Sequence, residues 1–350
     1  MKPVYIVSWL FALAVSFVSC DDWLDKTPKD RLYPDVYFKT EDELRLFTNQ
    51  FYNNLVPSAV DIYSESSDLI VKSDLMLEMS GQRIIPDEGN GWNFTALRDI
   101  NFYLQYSHNC TEVNARNRYD GVARFFRAYF YFEKVKRYGD IPWYDKALDS
   151  DDPELYKARD SREFVMQKTL EDLDFAIANL PKTKNAYVLT RWTALALKSR
   201  VCLFEGTFRK YHGLEDCEKY LNACVSASET FMNESGYTLY KSGSTPYRDL
   251  FASINLQADE VIFGRDYEAS LSVLHNVQNY ENSTMGRPGM NKKIVNSYLM
   301  ADGSRFTDKA GYETMTFDQE CQNRDPRLAQ TIRTPGYTRI GSTKKEAPNL

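Results

Sequence analysis

The sequence is poor in histidine, the side chain that most often transfers protons in enzymes at neutral pH. Only His108, His212 and His275 occur among its 350 residues. No G-x-S-x-G, H-E-x-x-H or G-x-x-x-x-G-K pattern is present, so signatures of serine hydrolases, zinc proteases and phosphate-binding loops are missing. Glycosidases use a pair of carboxylates on either side of the bond that they cleave. The 49 acidic residues could include such a pair, but no pattern in the sequence identifies one. We therefore predict that the protein is not an enzyme.

Metal ligands are equally scarce. The six cysteines include no C-x-x-C pair, so the sequence gives no support for a zinc site. The run from Asp149 to Asp152 is similar to the start of a calcium-binding EF-hand loop, but Glu154 stands where that loop requires glycine. We interpret the run as a solvated acidic turn, and we expect neither a metal nor another cofactor.

Cysteine pairing stays open at the level of the sequence. Cys217 and Cys224 are seven positions apart on one predicted helix, about 10 Å by helical rise, which is too far for a disulfide. Buried free thiols are the favoured interpretation, and a bridge from Cys202 to Cys217 or Cys224 across a helical hairpin is the alternative. The cysteines that follow Cys20 are odd in number: Cys110, Cys202, Cys217, Cys224 and Cys321.

The chain has no excess of basic residues. Its 43 Lys and Arg face 49 Asp and Glu, a formal net charge of −6. We therefore expect no nucleic acid partner, because phosphate binding requires a basic surface. Aromatic residues are plentiful, with 24 Tyr, 20 Phe and 5 Trp. They can fill a large core, and exposed rings among them could contact sugars or other flat ligands.

Long apolar runs are missing except at the start of the chain. Lys2 precedes a mostly apolar run at 4–18, which is shorter than a membrane span and typical of a secretory signal peptide. A cysteine directly after small residues is what a lipoprotein signal peptidase requires, although Phe17 stands where Leu is more usual. We predict that residues 1–19 are removed and that Cys20 carries a lipid anchor. The alternative is an ordinary signal peptide with a chance cysteine.

Apolar residues at helical spacing predict a mostly α fold. Thr40 with Glu43 forms a capping box before the first helix, and Gly139 ends a long one. That long helix is apolar on two faces, so we expect it to be sandwiched between neighbours. The positions that carry these predictions are Leu44, Phe47, Phe51 and Leu55; Leu97, Ile100 and Leu104; Val122, Phe125, Tyr129 and Phe132; and, on the second face, Phe126 and Phe130.

Three further helices are predicted between residues 160 and 231. Asp160 with Glu163 gives the start signal of the first, and Thr190 that of the second. The third helix should run from Leu214 to Phe231. Short turns between them indicate antiparallel packing similar to a tetratricopeptide array, although no clean 34-residue repeat recurs.

Loops and short strands complete the predicted fold class, a tetratricopeptide-like helical-repeat scaffold with long loops and a few short strands. Residues 56–92 are irregular and polar, and loops of that length tend to be functional or flexible. Beyond residue 236 the helical pattern fades, and the segment Glu260-Val-Ile-Phe-Gly264 predicts a short strand.

Four segments, taken in order, carry a resemblance to a known family. They are Cys20-Asp-Asp-Trp-Leu-Asp25 with Thr27-Pro28; ARFFRAYFYF at 123–132 running on through Arg137-Tyr138-Gly139-Asp140-Ile141-Pro142; RWTALALKSRV at 191–201; and Met300-Ala301-Asp302-Gly303 followed by Arg324-Asp325-Pro326-Arg327-Leu328. In this order they resemble the SusD/RagB family of nutrient-binding outer-membrane lipoproteins. The resemblance implies a SusD-like α/α superhelix, in which the second and third segments are packing surfaces.

The resemblance also implies a division of the chain. Residues 1–19 would be the lipoprotein signal peptide, and 20–235 the helical N-terminal region. Residues 236–350 would be the loop-rich start of a C-terminal region that looks incomplete, because family members are considerably longer. We expect from this a truncated product or fragment.

A further implication of the resemblance concerns function. Such a protein captures an oligosaccharide ligand at the cell surface, where it is lipid-anchored to the outer membrane, and hands it to a SusC-like TonB-dependent transporter. The acidic Asp21 and Asp22 fit surface export. The alternatives are a peptide-binding member of the family, a secreted glycoside hydrolase and a helical adaptor that binds only proteins.

Candidate ligand contacts cannot be transferred by motif, since they lie on variable loops in this family. The loop at 63–94 is the first candidate, because it combines an aromatic ring with planar polar groups, as sugar recognition requires. Trp92 has an alternative interpretation as a buried residue that staples the start of the next helix. The candidates are Arg83, Asp87, Trp92 and Asn93, with Tyr280 and Arg287 in a second loop.

Overall fold

The computed structural model describes residues 36–56, 70–71, 77–86, 89, 91–275, 289–339 and 342–345. Helices dominate these residues, and the predicted mostly α, tetratricopeptide-like class is confirmed. A short antiparallel pair joins β1 (Ile70–Val71) to β2 (Gly289–Met290). The helices are α1 (Glu41–Leu55), α2 (Leu77–Ser80), α3 (Thr95–Tyr106), α4 (Val113–Tyr138), α5 (Arg162–Asn179), α6 (Arg191–His212), α7 (Cys217–Glu234), α8 (Pro246–Ala252), α9 (Lys292–Ser297), α10 (Phe317–Glu320) and α11 (Pro326–Thr331).

Helix α1 begins at the predicted capping box. The Thr40 hydroxyl accepts from the Glu43 amide at 3.3 Å, and the Glu43 carboxylate accepts from the Thr40 amide at 3.0 Å. These bonds satisfy amides that have no partner within the helix. Leu44 and Phe51 are then fully buried, and α1 packs by this face against α3 and α4.

Helix α4 is the centre of the core, as its two apolar faces predict. It contacts α1 and α3 on one side and α5 on the other. Phe125, Phe126, Phe130 and Phe132 are all buried along its length. The helix ends at Gly139, whose φ of +71° is a conformation that favours glycine.

Helices α5, α6 and α7 pack in sequence, each against the next along the chain. The predicted Thr190 cap is present as a capping box with Thr193. Trp192 is buried and donates its indole N–H to the Lys182 carbonyl at 2.5 Å, so the predicted packing role of this segment is confirmed. Gly206 lets α6 and α7 approach closely, because a Cβ there would lie 2.7 Å from Cδ2 of Leu221.

The predicted start of α5 at Asp160 is wrong by one residue. Ser161 is the N-cap, and its hydroxyl accepts from the Phe164 amide. Asp160 instead forms an antiparallel backbone bridge with Ile141, and its carboxylate accepts from the Trp143 amide at 2.7 Å. This long-range pairing removes Asp160 from the helix, which local sequence rules do not register.

The predicted strand at 260–264 is also wrong. Its first residues form a turn, in which the amides of Glu260 and Val261 donate to the Gln257 carbonyl. Gly264 then donates to the Ala186 carbonyl at 2.8 Å. The apolar side chains Ile262 and Phe263 pack against the helical core, so their hydrophobicity reflects burial against helices.

The described cysteines are free, and the alternative of a Cys202 bridge is wrong. Cys202 is buried, and burial raises the pKa of its thiol to about 12. Cys224 lies 3.5 Å from the Ser199 hydroxyl. Cys20 lies outside the described residues, and so does most of the stretch from 341 to the end of the sequence.

Arg324, in the fourth of the sequence segments, has a structural role. Its buried guanidinium lies 3.9 Å from the ring centroid of Phe306. It donates to the carbonyls of Glu320, Val295 and Tyr298 at 2.8 to 2.9 Å. The side chain therefore holds α9 and α10 together by donating hydrogen bonds to backbone carbonyls of both.

None of the helices in the described segments combines the length and apolar character that crossing a membrane needs.

Candidate ligand-binding site

A cavity of about 500 Å³ opens between the start of α3 and the connection from α4 to α5. Pockets of roughly 300 to 1,000 Å³ are typical for small ligands. The lining combines aromatic, aliphatic and cationic side chains. It consists of Trp92, Phe94, Thr95, Leu97, Arg98, Asn101, Pro142, Tyr144, Lys146, Leu148, Leu155, Lys157 and Arg159.

One wall of the cavity is the connection at 139–161, and α3 holds it in place. The Asn101 amide donates to the Tyr144 carbonyl at 2.8 Å and to the Lys146 carbonyl at 3.2 Å. Arg98 donates to the Leu148 carbonyl at 3.2 Å. Side chains of a rigid helix thus satisfy backbone acceptors of an irregular segment, which fixes its shape.

Buried groups behind the wall orient Asn101. Arg127 on α4 donates to Oδ1 of Asn101 at 3.2 Å and to both carboxylate oxygens of Asp172 on α5. Burial alone would lower the pKa of Arg127, but hydrogen bonds and the charge of Asp172 raise it above its usual value. Tyr131 accepts from the Tyr144 amide at 2.6 Å, and burial raises the pKa of the Tyr131 hydroxyl.

Trp92 stands at the edge of the cavity with 40% of its surface exposed. Its ring meets Tyr138 edge to face, at 4.8 Å between centroids, and Phe94 at 5.2 Å. The Arg159 guanidinium lies 4.9 Å from the Trp92 ring centroid. The interpretation of Trp92 as a buried staple is therefore wrong, because two rings support the indole while much of it remains open to solvent.

The loop before Trp92 is tied to α4. The Lys134 ammonium donates to the Gly91 carbonyl, and burial lowers the pKa of Lys134. Gly91 has a φ of +82°, and a Cβ there would lie 3.3 Å from the Tyr138 hydroxyl. These contacts position the indole relative to the end of α4.

Of the candidate residues named from the sequence, the structure brings Trp92 to the cavity. Arg83 is exposed and is not part of the lining. Asn93 is exposed too, and its Oδ1 accepts from the Thr95 amide at 2.8 Å, so it shapes the start of α3. Three candidates lie outside the described residues: Asp87, Tyr280 and Arg287.

Sequence reasoning missed the wall at 139–161, which supplies Tyr144, Lys146, Lys157 and Arg159. A signal was available in its length, because a connection of more than 20 residues between two strongly periodic helices is unusual in a compact domain. Its mixture of aromatic and cationic residues is a second signal.

Comparison with known proteins places these elements in a family. A sequence model described as "SusD family" matches residues 226–348, and one described as "Starch-binding associating with outer membrane" matches 79–191, the part that contains every lining residue of the cavity. The chain belongs to the SusD/RagB family. SusD-like protein P25 of Formosa agariphila is 20% identical over 83% of this chain and 55% of its own length.

Solved SusD-like structures share the fold. A SusD-like protein from Bacteroides fragilis is 22% identical and superposes with a TM-score of 0.69, over 89% of this chain and 64% of its own. A SusD-like carbohydrate binding protein from the same species has the same TM-score at 17% identity, over 89% of this chain and 63% of its own. The chain spans about half the length of the curated SusD/RagB relatives that it matches.

Proposed function

We propose that this chain is a glycan-binding protein and that the cavity beside Trp92 is its ligand site. The exposed indole at the cavity edge is the observation that carries the proposal. An aromatic ring that already packs against neighbouring rings can contact the apolar face of a sugar. Binding then carries little entropy cost for ordering a loop. The cationic side chains of the lining can donate hydrogen bonds to sugar hydroxyls.

The fold relationship supports this ligand class. One structural relative is described as a carbohydrate binding protein, and the family model that matches 79–191 carries the description "Starch-binding". A peptide-binding role within the same family is the second candidate. A glycoside hydrolase would need two carboxylates facing the ligand, and the lining within the described residues contains none, which favours binding over hydrolysis.

Location and partners form part of the same proposal. We propose that cleavage after residue 19 exposes Cys20 for lipid attachment, leaving a surface-exposed, lipid-anchored protein of the outer membrane. Region 20–235 would carry the ligand site, with 236–350 as the start of a second region. The bound glycan would pass to a SusC-type TonB-dependent transporter. The description "associating with outer membrane" of one matching family model supports this location.

Calorimetry of the purified chain against neutral and acidic oligosaccharides and short peptides tests the ligand site. Trp92→Ala should weaken glycan binding about tenfold or more, since covering one large apolar side chain contributes roughly 1.5 to 3 kcal/mol. Tyr211→Ala removes an exposed ring at the end of α6, away from the cavity lining, and should leave affinity unchanged. Peptide binding without glycan binding would favour the second candidate, and release of reducing ends from a polysaccharide would favour the hydrolase.

The anchor and the transporter need separate tests. Metabolic labelling with a fatty-acid probe should mark the wild-type protein and leave Cys20→Ser unmarked. Copurification from outer membranes should recover a TonB-dependent transporter with the wild-type chain. An unlabelled wild-type protein would contradict the anchor without affecting the proposed ligand site.

A further inference from the structure

The cavity beside Trp92 has a lining of one charge sign. Its charged members are Arg98, Lys146, Lys157 and Arg159, and no carboxylate of the described residues belongs to the lining. The chain as a whole is acidic, with a formal net charge of −6, so the local excess of cations does not follow from composition. A cleft lined by positive charge concentrates the field and attracts anions.

Three of these cationic side chains form ion pairs with carboxylates near the cavity. Pairs as open to solvent as these are screened by salt and contribute little. They lower the positive charge that these three side chains offer to a ligand. The pairs are Lys146 with Glu154 at 3.0 Å and Asp152 at 3.3 Å, Lys157 with Asp160 at 3.0 Å, and Arg98 with Asp149 at 3.9 Å.

Arg159 differs from the other three. Within the described segments, no carboxylate lies close enough to form an ion pair with it. Its polar contact is a long one, from Nη1 to the Asp140 carbonyl at 3.5 Å. Its guanidinium lies 4.9 Å from the ring centroid of Trp92, so the charge sits directly beside the aromatic surface.

This arrangement suits an anionic sugar better than a neutral one. A guanidinium carries five N–H donors in a planar fork that matches the oxygens of a carboxylate or sulfate group. Stacking on an aromatic ring restrains the fork before a ligand arrives, which lowers the entropy cost of binding. A sugar ring on Trp92 would hold an acidic substituent within reach of Arg159.

We propose that the cavity selects acidic glycans, that is, oligosaccharides bearing a carboxylate or sulfate ester, and that Arg159 pairs with the anion while Trp92 contacts the sugar ring. The inference rests on the proposed glycan-binding function and refines its ligand class. It assigns discrimination between neutral and acidic sugars to Arg159 and general sugar affinity to Trp92.

Calorimetry with three oligosaccharides of equal length tests the assignment: one neutral, one containing uronic acid and one sulfated. At low salt, at least one acidic ligand should bind about tenfold more tightly than the neutral one, as one charge-assisted pair predicts. Arg159→Gln should abolish that preference, because the acidic ligands should lose about tenfold more affinity than the neutral one. Arg45→Gln removes the same charge from α1, outside the cavity lining, and should keep the preference. Trp92→Ala should weaken all three.

The outcomes separate this inference from the function on which it rests. Equal or tighter binding of the neutral ligand would overturn the acidic selectivity and leave glycan binding intact. An unchanged preference in Arg159→Gln would overturn the role of Arg159. Absence of binding by all three ligands would overturn both proposals. Circular dichroism verifies folding of each variant, and Arg159→Lys, which keeps the charge but loses the fork, should show an intermediate preference.

Discussion

Arg127 and Asp172 form a two-point ion pair across the α4–α5 interface, with donor–acceptor distances of 2.7 and 2.8 Å. The two side chains are 8% and 3% exposed, so both charges are removed from water. Each charge compensates the desolvation of the other, and burying either charge without its partner would cost several kcal/mol, on the order of the usual penalty for an unpaired buried ion. Arg127 also donates to Asn101, which links this pair to the wall of the ligand cavity.

Asp172→Asn should destabilise the protein by about 3 kcal/mol, because it leaves the buried Arg127 charge without its counter-charge. Urea denaturation followed by circular dichroism measures the change. Asp174→Asn on the same helix is the control, since that carboxylate is 59% exposed and its pair with Lys198 should contribute about 1 kcal/mol at most. The double variant Arg127→Met/Asp172→Leu should recover much of the loss. Equal effects of the two single Asp variants would contradict the prediction.

Gly206→Ala should destabilise the α6–α7 pair even though alanine favours helices. The substitution contributes about 1 kcal/mol of helix propensity, whereas overpacking costs roughly 1 to 3 kcal/mol. Overpacking should win because the added Cβ would lie 2.7 Å from Cδ2 and 3.1 Å from the backbone nitrogen of Leu221. The expected result is a lower melting temperature.

Gly121→Ala in α4 is the matched control for that substitution. A Cβ at this position would meet the Leu180 side chain at 3.4 Å, an ordinary contact distance. Propensity should therefore dominate, and the variant should be more stable than the wild type by up to about 1 kcal/mol. Stabilisation by both alanines would show that α7 shifts to accommodate the methyl group added to α6.

The helical body could be predicted from the sequence because its signals are local. Thr40 with Glu43 marks the start of α1, and Thr190 marks that of α6, since each side chain bonds amides within the same turn. The two apolar faces of α4 likewise predicted its central position. Tertiary structure reinforces these signals and does not reverse them.

The cavity could not be predicted in the same way, since its wall depends on contacts distant in sequence. Asn101 reaches the carbonyls of residues 43 and 45 positions later. Aspartate is a residue type that commonly caps helices, but the backbone of Asp160 pairs with that of Ile141 instead. Trp92 was recognisable as a candidate from its loop position, whereas nothing periodic in the sequence placed Arg159 beside it.

Asp120 should make the stability of the protein decrease as pH rises. Burial raises the pKa of its carboxyl and outweighs the opposing effects of the Ser107 and Tyr103 hydroxyls and of nearby arginines. The folded protein therefore binds this proton more tightly than the unfolded chain, in which aspartate has a pKa of about 3.9. The contribution to the free energy of unfolding is fully present below that pH and is lost as pH rises through the folded-state pKa.

Asp120→Asn removes this titration. Relative to the wild type, the variant should gain stability as pH is raised from about 4 towards 7. Urea denaturation at several pH values measures the difference, and Asp42→Asn on the exposed side of α1 controls for the loss of one negative charge. Parallel stability curves for Asp120→Asn and the wild type would contradict the prediction.

Asn101→Ala should loosen the cavity wall as well as destabilise the fold. The substitution removes the donor of the Lys146 carbonyl, one of the two donors of the Tyr144 carbonyl and one acceptor of Arg127, a loss of about 2 kcal/mol. Hydrogen exchange should accelerate in residues 142–148 more than in α6 or α7. Gln105→Ala, an exposed change on the same helix, should alter neither quantity. If glycan affinity also falls, while exchange around Trp92 stays unchanged, the wall contributes directly to ligand binding. Uniform acceleration across all helices would instead indicate that Asn101 acts on global stability alone.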